Sequence, residues 1–296
     1  MIIFIANNFL LNRSTIQLLR FPFSYFLMPV FFFALSFVDA IEWWPTLLIF
    51  FLIHFLLYPA SNGYNSFMDR DITSIGGVEK PMLPTQQLFF ITVLMDTAGA
   101  VLALIISWWF FGAFLFYIIC SRLYSYRGIR LKRFAVLGYI TVIFNQGGLI
   151  FFMVWHGCSK DLLLDVPWRG VVAAVFLIGG FYPITQVYQH KHDAADNVYT
   201  ISMLLGKRGT FIFCAIMYTV AFGLLFTYYE EKNDLRSFLI LQIFFVPVIV
   251  YFLRWFFKIW KNEALANFEN TMRMNWIAST CTSLAFITLI ILNNIG

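Results

Sequence analysis

Charge is scarce in this sequence. Asp, Glu, Lys and Arg make up 12% of its 296 residues, while 61% are hydrophobic. A soluble domain carries about twice that share of charge. With so few polar groups to coat a water-exposed surface, a soluble globular protein is excluded. A disordered chain, which needs many charges and little hydrophobicity, is excluded with it. Cysteine is sparser still. Cys120, Cys158, Cys214 and Cys281 stand apart with no CxxC pair, so neither a metal cluster nor a disulfide framework is supported. His54 and His156 are isolated and read as core histidines. No low-complexity linker breaks the chain, and the apolar N-terminal stretch lacks a small-residue cleavage site before a polar mature domain, so it is not read as a removed signal peptide. A single integral-membrane domain over 1–296 is expected.

What is present is apolar length. Runs such as Leu47 to Tyr58 and Val171 to Phe181 are unbroken. They do not alternate as the strands of a membrane barrel would, and every backbone polar group in lipid must be satisfied within its own helix or a closed barrel. The expected class is therefore all-α, a polytopic transmembrane helical bundle. Hydropathy places nine transmembrane helices at roughly 21–39, 43–68, 86–107, 109–124, 134–155, 168–189, 209–229, 235–257 and 273–293. With nine spans, Lys160, Arg169, Lys232 and Arg236 fall on one side and the remaining sixteen of the 20 Lys and Arg on the other. Positive charge marks the cytoplasmic side, so the N-terminus is expected in the cytoplasm and the C-terminus on the opposite side. Fusing the third and fourth spans would scramble that segregation.

Two cytoplasmic segments collect carboxylates together with amides, His and Lys. The first is Asn62-Gly-Tyr-Asn65-Ser-Phe-Met-Asp69-Arg-Asp71, running on to Glu79-Lys80-Pro81. On a continuing helix Asn65, Asp69 and Thr73 share a face, and Asp71 turns aside unless the helix has already unwound. Their oxygens suit Mg²⁺, and they equally suit a solvated helix end. The second is Gln189-His-Lys-His192-Asp193-Ala-Ala-Asp196-Asn197-Val-Tyr-Thr200, where Gln189, Asp193 and Asn197 repeat the spacing. Facing each other, the two segments would hold Mg²⁺ bridging a diphosphate. A third segment, Arg122-Leu-Tyr124-Ser-Tyr-Arg127-Gly-Ile-Arg130-Leu-Lys132-Arg133, concentrates cations. Membrane-surface anchoring accounts for such loops in many membrane proteins. Acidic clusters on the same face favour phosphate binding instead, and short loops flanking a bilayer give no reason to expect nucleic acid. Inside the spans, Asp96 is an expensive ionisable group and so a functional candidate, with an interhelical hydrogen bond as the alternative. Asn145-Gln146, before Gly147-Gly148, lines either a cavity or a close helix contact.

In these residues the chain resembles the UbiA-type intramembrane prenyltransferases, which have nine transmembrane helices and two Asp-rich motifs at cytoplasmic helix ends. Asn65 and Asp69 match the first two positions of NxxxDxxxD. Asp193 matches the later Asp of DxxxD, and Thr200-Ile201 its Thr-Leu. Tyr124-Ser125 with Arg130-Leu131-Lys132 is similar to the family's YS…RLK loop. Three positions depart from the pattern: Thr73 and Gln189 stand where Asp is usual, and Asn197 stands for Gly. Asp71 and Asp196 are neighbouring carboxylates that stand close to the missing ones. The resemblance implies Mg²⁺-dependent transfer of a prenyl group from a polyprenyl diphosphate to a lipophilic or aromatic, quinone-precursor-like acceptor. It implies Asp69 and Asp193 as catalytic, and Asn65, Asp69, Asp71, Asp193 and Asp196 at the metal. Lys80, Arg130, Lys132 and Tyr124 are expected at the diphosphate, and Asn145, Gln146, Asp96 and Gln189 along the cavity. No protein partner is expected beyond the lipid bilayer. The rival expectation, prompted by the incomplete motifs, is a non-catalytic lipid-diphosphate binder or a small-molecule transporter.

Overall fold

The computed structural model describes residues 11–295. Among these residues the chain is all-helical, and its only extended pairings are the isolated bridges Ile41–Ser159 and Ile75–Val78. The long helices are α1 (Arg13–Leu35), α2 (Trp43–Asp69), α3 (Gln86–Ala103), α4 (Trp108–Ser125) and α5 (Ala135–Cys158). They continue as α6 (Trp168–Ile184), α7 (Ile201–Glu231), α8 (Leu235–Lys261) and α9 (Phe268–Ile295). Seven of these are long and apolar enough to cross a membrane. The other two are α6, apolar but 17 residues long, and α4, whose last turn carries Arg122, Tyr124 and Ser125. Residues such as Leu94, Ile105, Leu239 and Ile243 are exposed on the outer faces, which suits a lipid solvent and no aqueous one.

The third and fourth helices are separate, as the charge pattern requires. Ser107 ends the intervening turn and its hydroxyl caps α4 by accepting from the Phe110 amide at 3.0 Å. Two helices widen to π geometry, at Leu52–Leu57 in α2 and Phe144–Leu149 in α5. The first lies directly before Pro59, which has no N–H to donate and whose ring crowds the preceding turn. The second carries Asn145 and Gln146. There α5 presses against α6 so closely that a Cβ on Gly147 would stand 2.8 Å from the Ala174 carbonyl oxygen. α1 runs through the middle of the bundle, where the Phe33 ring packs tilted against Phe286 of α9 at 4.7 Å and edge-on against Phe151 of α5 at 5.3 Å.

Candidate active site

The first acidic segment does not continue as helix. α2 ends at Asp69, and Arg70 takes a left-handed φ of 55°. The shared face expected for Asn65, Asp69 and Thr73 therefore stops at Asp69. The unwound turn carries Asp71 into the cavity and leaves Thr73 exposed. Asp69 is 8% exposed and is met by two cations: Arg130 Nη2 donates to Oδ1 at 3.3 Å, and Lys132 Nζ pairs with Oδ2. Arg127 donates to the backbone carbonyls of Met68 at 2.6 Å and Asp69 at 3.2 Å, closing the helix end. Asn65 Nδ2 donates to Ser125 Oγ at 3.0 Å, which leaves its carbonyl oxygen as the remaining polar atom.

The α4–α5 loop reaches across to the second segment. Arg130, itself left-handed with φ 52°, donates to the Asp196 backbone oxygen at 3.0 Å and pairs with its carboxylate. Burial alone would raise Asp196, but the hydrogen bond and charge of Arg130, aided by Arg127 and Lys132, hold it below the usual carboxylate range. Asp193 sits on a short helix, His190–Ala195, and has no ion-pair partner among the described residues. Burial pushes its carboxyl up to about 6. Lys132 and His192 pull it down, and Asp71 and Asp69 add to the rise. Asp71, 3.5 Å from His192 Nδ1, is likewise raised, by burial first and Asp69 second. Gln189 Nε2 donates to the Ser74 carbonyl at 3.3 Å, tying the two segments together.

These elements enclose a cavity of about 190 Å³. Of the residues singled out in the sequence, Asn65, Asp69, Asp71, Asp193, Lys132, Tyr124, Gln189, Asn145 and Gln146 line it. Four do not. Arg130 and Asp196 form the ion pair behind Asp69. Lys80 is exposed beside a separate groove, its carbonyl accepting from Gln17 at 3.2 Å. Asp96 braces α3 to α4 through Arg122, whose Nε donates to it at 3.0 Å and whose guanidinium lies 3.9 Å from the Tyr64 ring centroid. Other cavity residues were not singled out, notably Arg20, Ser61, Asn62, Tyr117, Tyr182 and Gln186. Arg20 is 8% exposed in a left-handed break of α1 (φ 51°), donates to the Asn62 carbonyl at 3.2 Å, and has no partner for its Nε. Its lone place before a Phe-Pro helix start was the available signal.

As they stand, no three His, Cys, Asp or Glu side chains among the described residues are close enough to enclose a metal ion. Mg²⁺ does not require such a cage, since it binds through one or two carboxylates plus substrate phosphates and keeps several waters. Asp69, Asp71 and Asp193 around one cavity, with Arg20 and Lys132 beside them, fit that mode.

No curated protein matches the chain. Among solved structures it is similar to a UbiA homolog from Archaeoglobus fulgidus. Bound to DMAPP and Mg²⁺ that protein gives 18% identity and a TM-score of 0.69, and bound to GPP and Mg²⁺ 0.67, covering 94% of this chain and 99% of that one. An apo UbiA homolog from Aeropyrum pernix K1 gives 16% identity and 0.64 over 95% and 99%. At such identities the likeness shows the fold. The model of the UbiA prenyltransferase family matches residues 26–279, nearly the whole of the bundle just described, and the chain belongs to that family.

Proposed function

We propose that this protein is an integral-membrane prenyltransferase that crosses the bilayer nine times, opens its cavity to the cytoplasm, and moves a prenyl group from a polyprenyl diphosphate to a lipophilic or aromatic acceptor. One observation carries the reading: three carboxylates and two cations from separate segments converge on one cavity whose remaining lining is uncharged. In the Archaeoglobus fulgidus relative, the bound molecules are GPP or DMAPP with Mg²⁺.

The chemistry asks for ionisation of a C–O bond. The bond between prenyl C1 and diphosphate oxygen breaks with its electron pair leaving on the diphosphate. A nucleophilic carbon or oxygen of the acceptor gives the pair for the new bond to C1, and the acceptor's proton departs to the aqueous side. Arg20 and Lys132 hold the diphosphate and stabilise its growing charge. Asp69, Asp71, Asp193 and the Asn65 oxygen hold Mg²⁺, which supplies neutralisation of the leaving group when bound. Tyr117, Tyr124, Phe181 and Tyr182, all on the cavity wall, offer ring faces to the allylic cation. Arg130 acts from behind by fixing Asp69 against the second segment. Lys80 has no place in this set.

The test is purified protein incubated with Mg²⁺, radiolabelled geranyl diphosphate and a panel of aromatic acceptors. Prenylated product is expected, and Asp69→Ala and Asp193→Ala are each expected to abolish it. Diphosphate bound but never turned over would favour the non-catalytic binder, and release unchanged in both variants would remove the site assignment.

A further inference from the structure

The cavity has two chemically distinct depths. All its charged residues, Arg20, Asp69, Asp71, Lys132 and Asp193, sit at helix ends or loops around the mouth. Deeper than these, along the α4 and α5 walls, the lining is polar without charge: Tyr117, Cys120, Thr141, Asn145 and Gln146, with Gln186 in the turn that follows α6. Tyr117 is seven residues along α4 from Tyr124, about 10 Å deeper at 1.5 Å per residue, and Asn145 is about 15 Å inside α5.

Neither end of a prenyl diphosphate matches this floor. Asn145 and Gln186 are each 6% exposed, and the amide oxygens Asn145 Oδ1 and Gln186 Oε1 have no hydrogen-bond partner. The Asn145 amide orientation is set by its Nδ2, which donates to the Thr141 carbonyl at 2.7 Å. A buried acceptor atom without a donor is costly. A diphosphate offers acceptors alone, and an isoprenoid chain offers no polar atom at all. The chain has better space elsewhere. Phe181 is shared with a second, apolar chamber of about 410 Å³, walled by Phe33, Phe222, Phe245 and Phe252.

We infer that the uncharged floor is the acceptor site, and that it selects a neutral acceptor carrying a hydroxyl, such as a phenol or quinol, over a carboxylate-bearing one. This rests on the prenyl-transfer reading. The hydroxyl donates to the Asn145 and Gln186 oxygens. A carboxylate on the same ring would face the Asn145 oxygen with no cation at that depth, since Arg20 and Lys132 are at the mouth.

The experiment measures equilibrium binding to the full-length protein loaded with Mg²⁺ and geranyl thiodiphosphate. The ligands are 2-naphthol, 6-hydroxy-2-naphthoate and 2-methoxynaphthalene. The naphthol is expected to bind about tenfold more tightly than either of the others, the size of one lost hydrogen bond or one unpaired buried group. Gln186→Leu and Asn145→Leu are expected to weaken the naphthol about tenfold and to leave the methoxy compound unchanged. Gln186 is the safer variant, because Asn145 lies beside the tight Gly147 contact, and the wild-type panel needs no variant at all. Equal binding of the three, tighter binding of the naphthoate, or no binding of any would overturn the inference. Failure of the thiodiphosphate itself to bind would instead overturn the prenyltransferase reading.

Discussion

The two acidic segments end similar apolar helices, face one cavity and share Arg130, yet the carboxylates Asp69 and Asp193 are held by opposite means. Around Asp69 the cement is ionic: Arg130, Lys132 and Arg127 engage its carboxylate or its backbone. Around Asp193 itself it is neutral, the segment's ion pair with Arg130 lying three residues on at Asp196. His190 Nε2 shares a hydrogen bond of 2.8 Å with Ser202 Oγ, and Ser202 Oγ one of 3.0 Å with Thr210 Oγ1. Thr210 in turn donates to the Gly206 carbonyl at 2.7 Å, where α7 breaks at a φ of 67°. The difference teaches which carboxylate is compensated in advance. Asp69 already has its counter-charges in contact, whereas Asp193 is half-buried with no ion-pair partner among the described residues and gains most from an arriving cation.

Variants at the two positions should therefore agree on activity and disagree on stability. Asp69→Ala leaves Lys132 without its carboxylate and Arg130 with Asp196 alone, and is expected to cost about 3 kcal/mol of stability. Asp193→Asn removes a charge that burial disfavours, and unfolding in detergent should show stability unchanged or raised. Both should lower Mg²⁺-dependent diphosphate release by at least about 100-fold. Equal losses of stability in the two variants would break the comparison.

The next effect is a pH dependence confined to the second segment. Burial, with Lys207 adding and Glu263 opposing, lowers His190 to about 4 from an ordinary 6.5. The unfolded chain thus binds this proton first. The stability that neutral His190 contributes is complete above pH 6.5 and drains away as pH falls toward 4. Asp193, raised to about 6, adds stability as pH falls over the same range, so the His190 contribution should appear as the difference between wild type and His190→Gln in thermal scans across that window.

Much of this architecture was legible in the sequence because lipid leaves a chain few options: apolar length gives helices, and scarce cations mark one face. The site was legible at its rim for the same reason, since Asp69, Asp193 and Lys132 are rare charges in an apolar chain. Its depth was harder. Ser61, Asn65 and Asp69 on α2 fall four apart, as do Tyr117 and Ser121 on α4, and Tyr182, Gln186, Gln189 and Asp193 follow at helical spacing. Extending each motif inward by one or two turns would have found these residues. Lys80 lies away from the cavity for a different reason. Nothing in a loop's composition states whether it folds back over the cavity, and Gln17 holds this stretch away from it, accepting from the Met82 amide at 2.8 Å.

The smallest effect is expected where the motif looks most damaged. Thr73→Asp restores the carboxylate that the family pattern would place there, and a reading from spacing alone predicts improved metal binding. The structure predicts none. Helical spacing no longer applies past Asp69, because the left-handed Arg70 has ended α2 and turned Asp71 inward, while Thr73 stands exposed in the following turn. A carboxylate at position 73 would be solvated outside the cavity, where a charge changes stability by at most about 0.5 kcal/mol. Mg²⁺ titration of the thiodiphosphate complex should give the same midpoint for Thr73→Asp and wild type, while Asp71→Asn should shift it. A tighter midpoint in Thr73→Asp would mean that the segment rewinds when the cavity fills, and that its two faces exchange Asp71 for residue 73.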